Sequence, residues 1–334
     1  MIDDLFRGNS KVSQPTIYAV IVNWNGKKLL QKCLSSFFAK TENPKCKIVV
    51  IDNASTDGST EMLQTDFPSV ELIKNVENTG FSYGNNQGIR HALANNAEYI
   101  LLLNNDVEIT DEKWLEKLID ILESDSKIGI VGCKLLYPNG KIQHAGGIIN
   151  LSGAHNRGEC EKDTGQYDKI EFFYFVTGAV LMVKTDVIHK IGFLDEEFTP
   201  LYYEDVDWCV RARLFGYKVA YTPNPKLIHH CGSSANKLGQ EKKMFYLRKS
   251  FIRFFLLNFQ CGDILKRIIE FESRIALGCL FNRTIDKKIP FALRSDASTR
   301  FSFFLKAWLS SICNLKQIVA LRRLRFKLGA RLFL

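Results

Sequence analysis

The chain has 334 residues, 46% of them hydrophobic, and 45 Lys and Arg against 36 Asp and Glu for a formal charge of +9. Its nine cysteines are scattered with no Cys-x-x-Cys, which argues against a disulfide framework or a structural zinc site and fits a reducing cytosol. The N-terminus lacks a signal peptide's build, and no uncharged apolar run approaches the ~18 residues of a membrane span.

The charge is unevenly placed. Residues 241–334 hold 20 Lys and Arg against 6 Asp and Glu, so +14, leaving −5 of the total to residues 1–240. A mildly acidic body with a strongly basic end points to a polyanionic surface near that end.

The first half alternates apolar runs with helical patterns. TIYAVIVNWN (16–25) predicts a strand, and residues 27–38 a helix. KIVVID (47–52) is a second strand, followed by a helix after the N-cap candidates Ser55, Thr56 and Asp57. VELIK (70–74), a helix over 81–95 and YILLL (99–103) continue the alternation. Residues 111–123 repeat apolar side chains at helical spacing. Such an order builds an α/β fold, a mostly parallel sheet with helices on both faces, whose ligands sit at the carboxyl ends of the strands. Farther on, Pro-Asn-Gly within 135–143 signals a hairpin. Residues 150–170 read as a polar, mobile loop, VTGAVLMV (176–183) as a strand, and 205–217 as a helix ended by Gly216. KLIHHCGSS (226–234) reads as a strand entering a loop, and the chain is helical, Phe-rich and basic from about 241.

Polar clusters stand where strands should end: Asn23-Trp24-Asn25-Gly26, Asp52 to Asp57, Asn78-Thr79-Gly80-Phe81 and Asn104-Asn105-Asp106. Turns and caps alone use these residue types. Four clusters at one sheet edge fit a nucleotide pocket better. No G-x-x-x-x-G-K-[ST] or strand-borne G-x-G-x-x-G occurs, which disfavours P-loop and dinucleotide sites. Without a Gly-rich cradle, a bound diphosphate needs a cation, and Asp106 is placed to hold Mg²⁺ or Mn²⁺.

VIVNWNG, VIDNASTDGS, NTGFSYGNNQG, LLLNNDV, TGAVLMV, YYEDVDWCVRA and IHHCGSS occur in the order found in family 2 glycosyltransferases. The chain resembles that family over roughly residues 16–258, most of all its bacterial rhamnosyltransferase-like branch. The resemblance implies a GT-A fold and inverting transfer of a sugar, rhamnose or a hexose, from a dTDP- or UDP-linked donor. It implies nucleotide-sugar contacts from Val22, Trp24, Asn25, Asp52, Ser55, Asp57, Asn78, Gly80, Phe81, Asn86, Asn104 and Asn105. Asn104-Asn105-Asp106 stands at the family's Asp-x-Asp motif, with Asp106 the metal ligand and Asn104 removing one charge. His229 is implied as a second ligand to metal or diphosphate, with Ser233 and Ser234 near the phosphates. His230 must face the other way, because neighbours on a strand do.

Asp205 is implied as the catalytic base. Residue types alone also read Glu204, Asp205 and Asp207 as a capped first helical turn, whose dipole favours an ionised Asp205. Asp207 reads as a cap that Arg211, four residues on, pairs with. Glu204 and Gly178 are acceptor-side candidates, and Gly178 reads equally as a tight packing spot.

The domains expected are an N-terminal tail (1–15), a catalytic domain (16–240) and a helical basic region (241–334). Residues 301–334 carry seven basic and no acidic residues interleaved with Phe, Leu and Trp. They read either as an interfacial helix on an anionic membrane or as a helical cap on the catalytic domain. The membrane reading places the protein in the cytoplasm, peripheral on the inner face of the plasma membrane, and the family resemblance implies a saccharide or polyprenyl-diphosphate-linked acceptor there. No nucleic-acid motif accompanies the charge. A nucleotidyltransferase and an inactive nucleotide-sugar-binding scaffold are the competing readings.

Overall fold

A computed structural model describes residues 15–231, 239–272 and 297–327. The chain opens with β1 (Ile17–Asn23), α1 (Lys27–Lys40), β2 (Cys46–Asn53), α2 (Ser59–Asp66), β3 (Glu71–Asn75), α3 (Gly80–Ala94) and β4 (Tyr99–Leu103). These strands pair in parallel in the order β3-β2-β1-β4. β4 is buried along its whole length, because both faces of the sheet are covered. That is why such strands read as unbroken apolar runs. In β1, Tyr18 and Val20 face a core layer with Ile89 and Ala92 of α3. Ile17, Ala19 and Ile21 face the opposite layer, with Leu30, Leu34 and Phe37 of α1.

The second half widens this sheet. It contributes β5 (Val107–Glu108), α4 (Trp114–Ser124), β6 (Ile128–Leu136), β7 (Ile142–His144), β8 (Gly147–Asn150), β9 (Gly153–Asn156), β10 (Glu171–Phe172), β11 (Val180–Lys184), α5 (Thr185–Ile191), α6 (Glu204–Leu214) and β12 (Lys218–His229). The full order is β10-β12-β6-β11-β4-β1-β2-β3, with β5 on β12 and β7 on β6. β11 lies antiparallel between β4 and β6, so β6 and β12 run the same way as β1 to β4.

Residues 150–170 are not the loose loop their polarity predicts. They begin in the β8–β9 hairpin. Beyond it, the fully buried Lys134 bonds Asp163 at 2.9 Å and pairs with Asp168, while Arg157 lies over the rings of Tyr167 and Phe173. Charge pairing and ring contacts fix this segment, and neither leaves an apolar period. β11 starts at Val180, four residues later than expected, because Val176 to Ala179 form its approach.

The basic region supplies α7 (Gln240–Asn258), α8 (Cys261–Arg267) with a π turn over Ile268–Glu272, α9 (Ala297–Cys313) and α10 (Leu315–Lys327). α9 and α10 pack on α7. The Phe251 and Phe254 rings of α7 meet Tyr203 at 5.8 and 5.2 Å, just ahead of α6. Among the described residues no helix is long and apolar enough to cross a membrane.

Candidate active site

The carboxyl ends of β1, β2 and β4 meet in a web of amides. Asn23 lies opposite Asp52 in register and donates to its Oδ1 at 3.0 Å. Asn105 donates to Asn23 Oδ1 at 2.7 Å. A Cβ on Gly26 would strike both side chains, so only glycine leaves room for that bond. Asp52 Oδ2 accepts from Ser55 N at 2.8 Å, and Ser55 Oγ accepts from Asn25 N at 2.8 Å. Asn25 Oδ1 accepts from Thr56 N at 2.7 Å, and Asp57 from Lys27 N at 2.9 Å. Asn25, Asp52, Ser55 and Asp57 therefore brace the two loops against each other and do not line the cleft above them.

At the start of α3, Gly80 has φ +83°, and a Cβ there would press on Thr199 and Pro200. Asn78 Oδ1 accepts from Gly80 N at 3.0 Å and from Asn53 at 3.2 Å. Asn78, Gly80 and Phe81 line the cleft, and so does Asn53, which the sequence reading passed over. Asn86 is turned elsewhere. It donates to Leu194 O at 2.9 Å and Glu196 Oε1 at 2.8 Å and accepts from Leu194 N at 3.0 Å, so it pins the 194–196 segment to α3. An amide's residue type says nothing of the direction it faces.

β4 runs straight into Asn104, Asn105 and Asp106, and pairing of β5 with β12 sets Val107 opposite His229. His229 Nε2 thereby donates to Asp106 Oδ1 at 2.9 Å, and its Nδ1 to Gln143 Oε1 at 2.9 Å. Burial alone would lower the imidazole's pKa, but the Asp106 carboxylate carries it to about 9. His230 faces the other side, 3.0 Å from Glu108. Ser233 and Ser234 lie outside the described residues. Among the described residues no cluster of three or more His, Cys, Asp or Glu is placed to hold a metal. Asp106 and, once its Nε2 proton is displaced, His229 fit Mg²⁺ or Mn²⁺ at a polar cleft, the remaining ligands being diphosphate oxygens and water.

α6 delivers the carboxylates. Tyr202 and Tyr203 both hold positive φ, +81° and +72°, an uncommon conformation for bulky residues and one found where function dictates the backbone. The helix then starts at Glu204. Asp205 accepts from Gly178 N at 2.7 Å and from Val206 N at 2.8 Å. Burial nevertheless raises its pKa against those donors. Glu204 is buried with Oε2 unpartnered, and burial together with the neighbouring Asp205 pushes it well above the carboxylate range. Asp207 does bond Arg211, at 2.9 Å, but it is not a solvated cap. It is fully buried and bound as well by Asn258 of α7 and Arg325 of α10. Burial opposes its charge, yet the two guanidiniums hold it well below the usual carboxylate range.

The cleft encloses about 790 Å³, a volume in the range of small-molecule sites. Val22, Trp24, Asn104, Asn105, Asp106 and His229 line one part, and Gly178, Glu204 and Asp205 another. Tyr137, Gln143, Asn156, Glu159 and Lys243 also line the cleft, without any sequence signal that singled them out. Gly178 is both a cleft wall and a tight packing spot, since a Cβ would lie 3.2 Å from Asp205 Cβ.

Residues 18–184, half the chain, match the family model described as Glycosyl transferase family 2. The chain belongs to this family. Its fold is GT-A, and this family 2 chain resembles a mannosyltransferase from Pyrobaculum calidifontis, solved with GDP-Man and Mn²⁺. That likeness has a TM-score of 0.54 at 14% identity, over 92% of this chain and 76% of that one. Three relatives in sequence are the O-antigen biosynthesis protein RfbC of Myxococcus xanthus (30% identical over 68% of this chain), the dTDP-rhamnosyl transferase RfbF of Shigella flexneri (30% over 66%) and the N-acetylglucosaminyl-diphospho-decaprenol L-rhamnosyltransferase of Mycobacterium tuberculosis (23% over 65%). The chain spans only 18% of the Myxococcus protein's length, against 71% and 77% of the other two. The family 2 match ends at Lys184, so α6 and β12, with Asp205 and His229, lie beyond the matched segment.

Proposed function

We propose that the chain is an inverting glycosyltransferase that moves a sugar from a nucleoside-diphosphate donor to a hydroxyl of a saccharide, polysaccharide or polyprenyl-diphosphate-linked acceptor. The observation that carries this reading is that one cleft is lined both by Asp205, oriented by the Gly178 N–H, and by the Asp106–His229 pair. The acceptor hydroxyl oxygen attacks the anomeric carbon and its proton passes to the Asp205 carboxylate. The bond from that carbon to the phosphate oxygen breaks, and its electron pair leaves with the nucleoside diphosphate. A pKa raised by burial suits a general base working near neutrality. Asp106 and His229 would hold Mg²⁺ or Mn²⁺, which when bound supplies positive charge to the departing diphosphate.

dTDP-rhamnose is the favoured donor, supported by the Shigella and Mycobacterium relatives, with UDP-hexoses next. The composition of the basic C-terminal segment adds an anionic membrane surface as the partner of its helices. Leu305, Leu309 and Ile312 of α9 and Leu324 of α10 are exposed apolar residues on a segment that also exposes Lys316 and Arg323, the composition an interfacial site needs.

The test is thermal stabilisation by UDP, dTDP and GDP, with and without Mn²⁺, beside Asp106→Ala and a turnover assay of Asp205→Asn. Ligand at about 100 times its dissociation constant adds ~2.7 kcal/mol. Expected are metal-dependent stabilisation by one diphosphate, lost in Asp106→Ala, and loss of transfer in Asp205→Asn with binding kept. Stabilisation by no diphosphate under any condition would overturn the reading, and diphosphate binding without transfer by the wild type would favour the nucleotide-sugar-binding scaffold.

A further inference from the structure

We infer that Arg325, at the far end of the described chain, is a positioning residue that seats the helix carrying Asp205. This rests on the assignment of Asp205 as base made above. Two residues along an α-helix turn it by about 200°, so Asp205 and Asp207 leave α6 on opposite sides. Asp205 faces the cleft and Asp207 faces the helices packed behind it.

The contacts on Asp207 come from three elements. Arg325 of α10 binds it with both terminal nitrogens, Nη1 to Oδ1 at 2.7 Å and Nη2 to Oδ2 at 3.1 Å. Asn258, the last residue of α7, donates to Oδ1 at 3.2 Å and accepts from Arg325 Nη1 at 2.5 Å. Arg211 of α6 donates to Oδ2 at 2.9 Å and ties its other arm to Ile191 O at 2.5 Å. Asp207 and Asn258 are wholly buried, and Arg325 is 7% exposed.

A two-pronged guanidinium fixes both the distance and the plane of the carboxylate it holds. Asp207 N is itself bonded to Tyr203 O at 2.8 Å, so the clasp reaches the turn that opens α6. That turn is the one with consecutive positive-φ residues, and such a conformation persists only where its surroundings over-determine it. The basic region thus does more than add charge. One of its cations is spent inside the molecule, behind the base.

The test uses the full chain with Arg325→Met, and Arg322→Met as the comparison. Arg322 sits on the same helix and bonds Leu256 O at 2.7 Å, so it shares in docking α10 without reaching Asp207. Arg325→Met should lower kcat about tenfold to a hundredfold while the donor KM stays within about twofold. Amide exchange across residues 204–208 should quicken about tenfold. Arg325→Lys should recover part of both effects, and Arg322→Met should show neither. Adding Asp207→Asn to Arg325→Met should cost little more than the single change, because both remove one link.

A loss confined to melting temperature, or an equal loss of kcat in Arg322→Met, overturns the inference. Unchanged exchange over 204–208 overturns it too. If exchange quickens as expected but the wild type transfers no sugar from any donor, the clasp stands and the assignment of Asp205 as base falls.

Discussion

The backbone N–H of Gly178 points at Asp205 Oδ2 from 2.7 Å, and a side chain on Gly178 would press on the same residue. A Cβ at position 178 would sit 3.2 Å from Asp205 Cβ and 3.4 Å from its Oδ2. Gly178→Ala therefore presses on Asp205 Cβ, and the side chain that carries the carboxylate should shift by a few tenths of an ångström. Displacements of that kind are expected to cost about tenfold or more in kcat. The nucleotide part of the cleft is lined by other residues, so diphosphate-induced stabilisation should persist in the variant. Steady-state kinetics beside a melting series checks this, and an unaltered kcat would refute the geometry.

In the proposed metal site, Asn104 stands where a second carboxylate would face the cation. Its Nδ2 lies 3.3 Å from His229 Nε2. Asn104→Asp places a second negative charge beside Asp106. Without metal the repulsion from Asp106 is offset by the His229 imidazolium 3.3 Å from this side chain, so the melting temperature should change little. With Mn²⁺ present the concentration needed for half-maximal diphosphate-dependent stabilisation should drop several-fold. A titration of Mn²⁺ at fixed diphosphate, read in both proteins, gives the answer.

Glu204 predicts a pH dependence with a definite sign. Its folded-state pKa lies well above the ordinary 4.5, first through burial and then through Asp205. Above the unfolded pKa the unfolded chain sheds its proton while the folded one keeps it. The carboxyl's contribution to stability is therefore fully present below that value and is lost as pH rises towards the folded pKa. Glu204→Gln removes the titration. The melting temperature of the variant relative to wild type should climb from pH 4 to pH 8. A difference that stays flat over that range would show that Glu204 is ionised in the fold.

The outer face of α9 predicts a surface interaction. Leu309 and Ile312 are each 56% exposed. In sedimentation with vesicles rich in phosphatidylglycerol, the protein should bind, and binding should weaken with salt as each screened cation gives up about 1 kcal/mol. Leu309→Ser with Ile312→Ser should weaken it further at every salt concentration. Vesicles of neutral lipid should retain little protein.

How much of this was legible in the sequence depended on range and on polarity. The strands of the parallel half were readable because burial on both faces writes them as unbroken apolar runs. The pairing of Asp207 with Arg211 followed from helical spacing. Arg325 did not, since its partner lies 118 residues away and nothing marks it among the other cations of its segment. Asn86 and Asn78 belong to one motif, yet only Asn78 lines the cleft, because a side chain's direction is set by packing that its neighbours in sequence do not reveal. The helix dipole at Asp205 was visible beforehand. The desolvation that raises its pKa is a property of the assembled molecule.

The clasp also gives synthesis a direction. Every described residue that lines the cleft has been made by Leu247, long before Arg325 leaves the ribosome. A nascent chain can therefore close its sheet and present a donor pocket while the back of α6 still lacks its guanidinium and Asp207 is left with Asn258 and Arg211. On the proposed function, premature termination in that interval should yield a product that recognises nucleotide and turns over poorly. Full competence would then wait for α10.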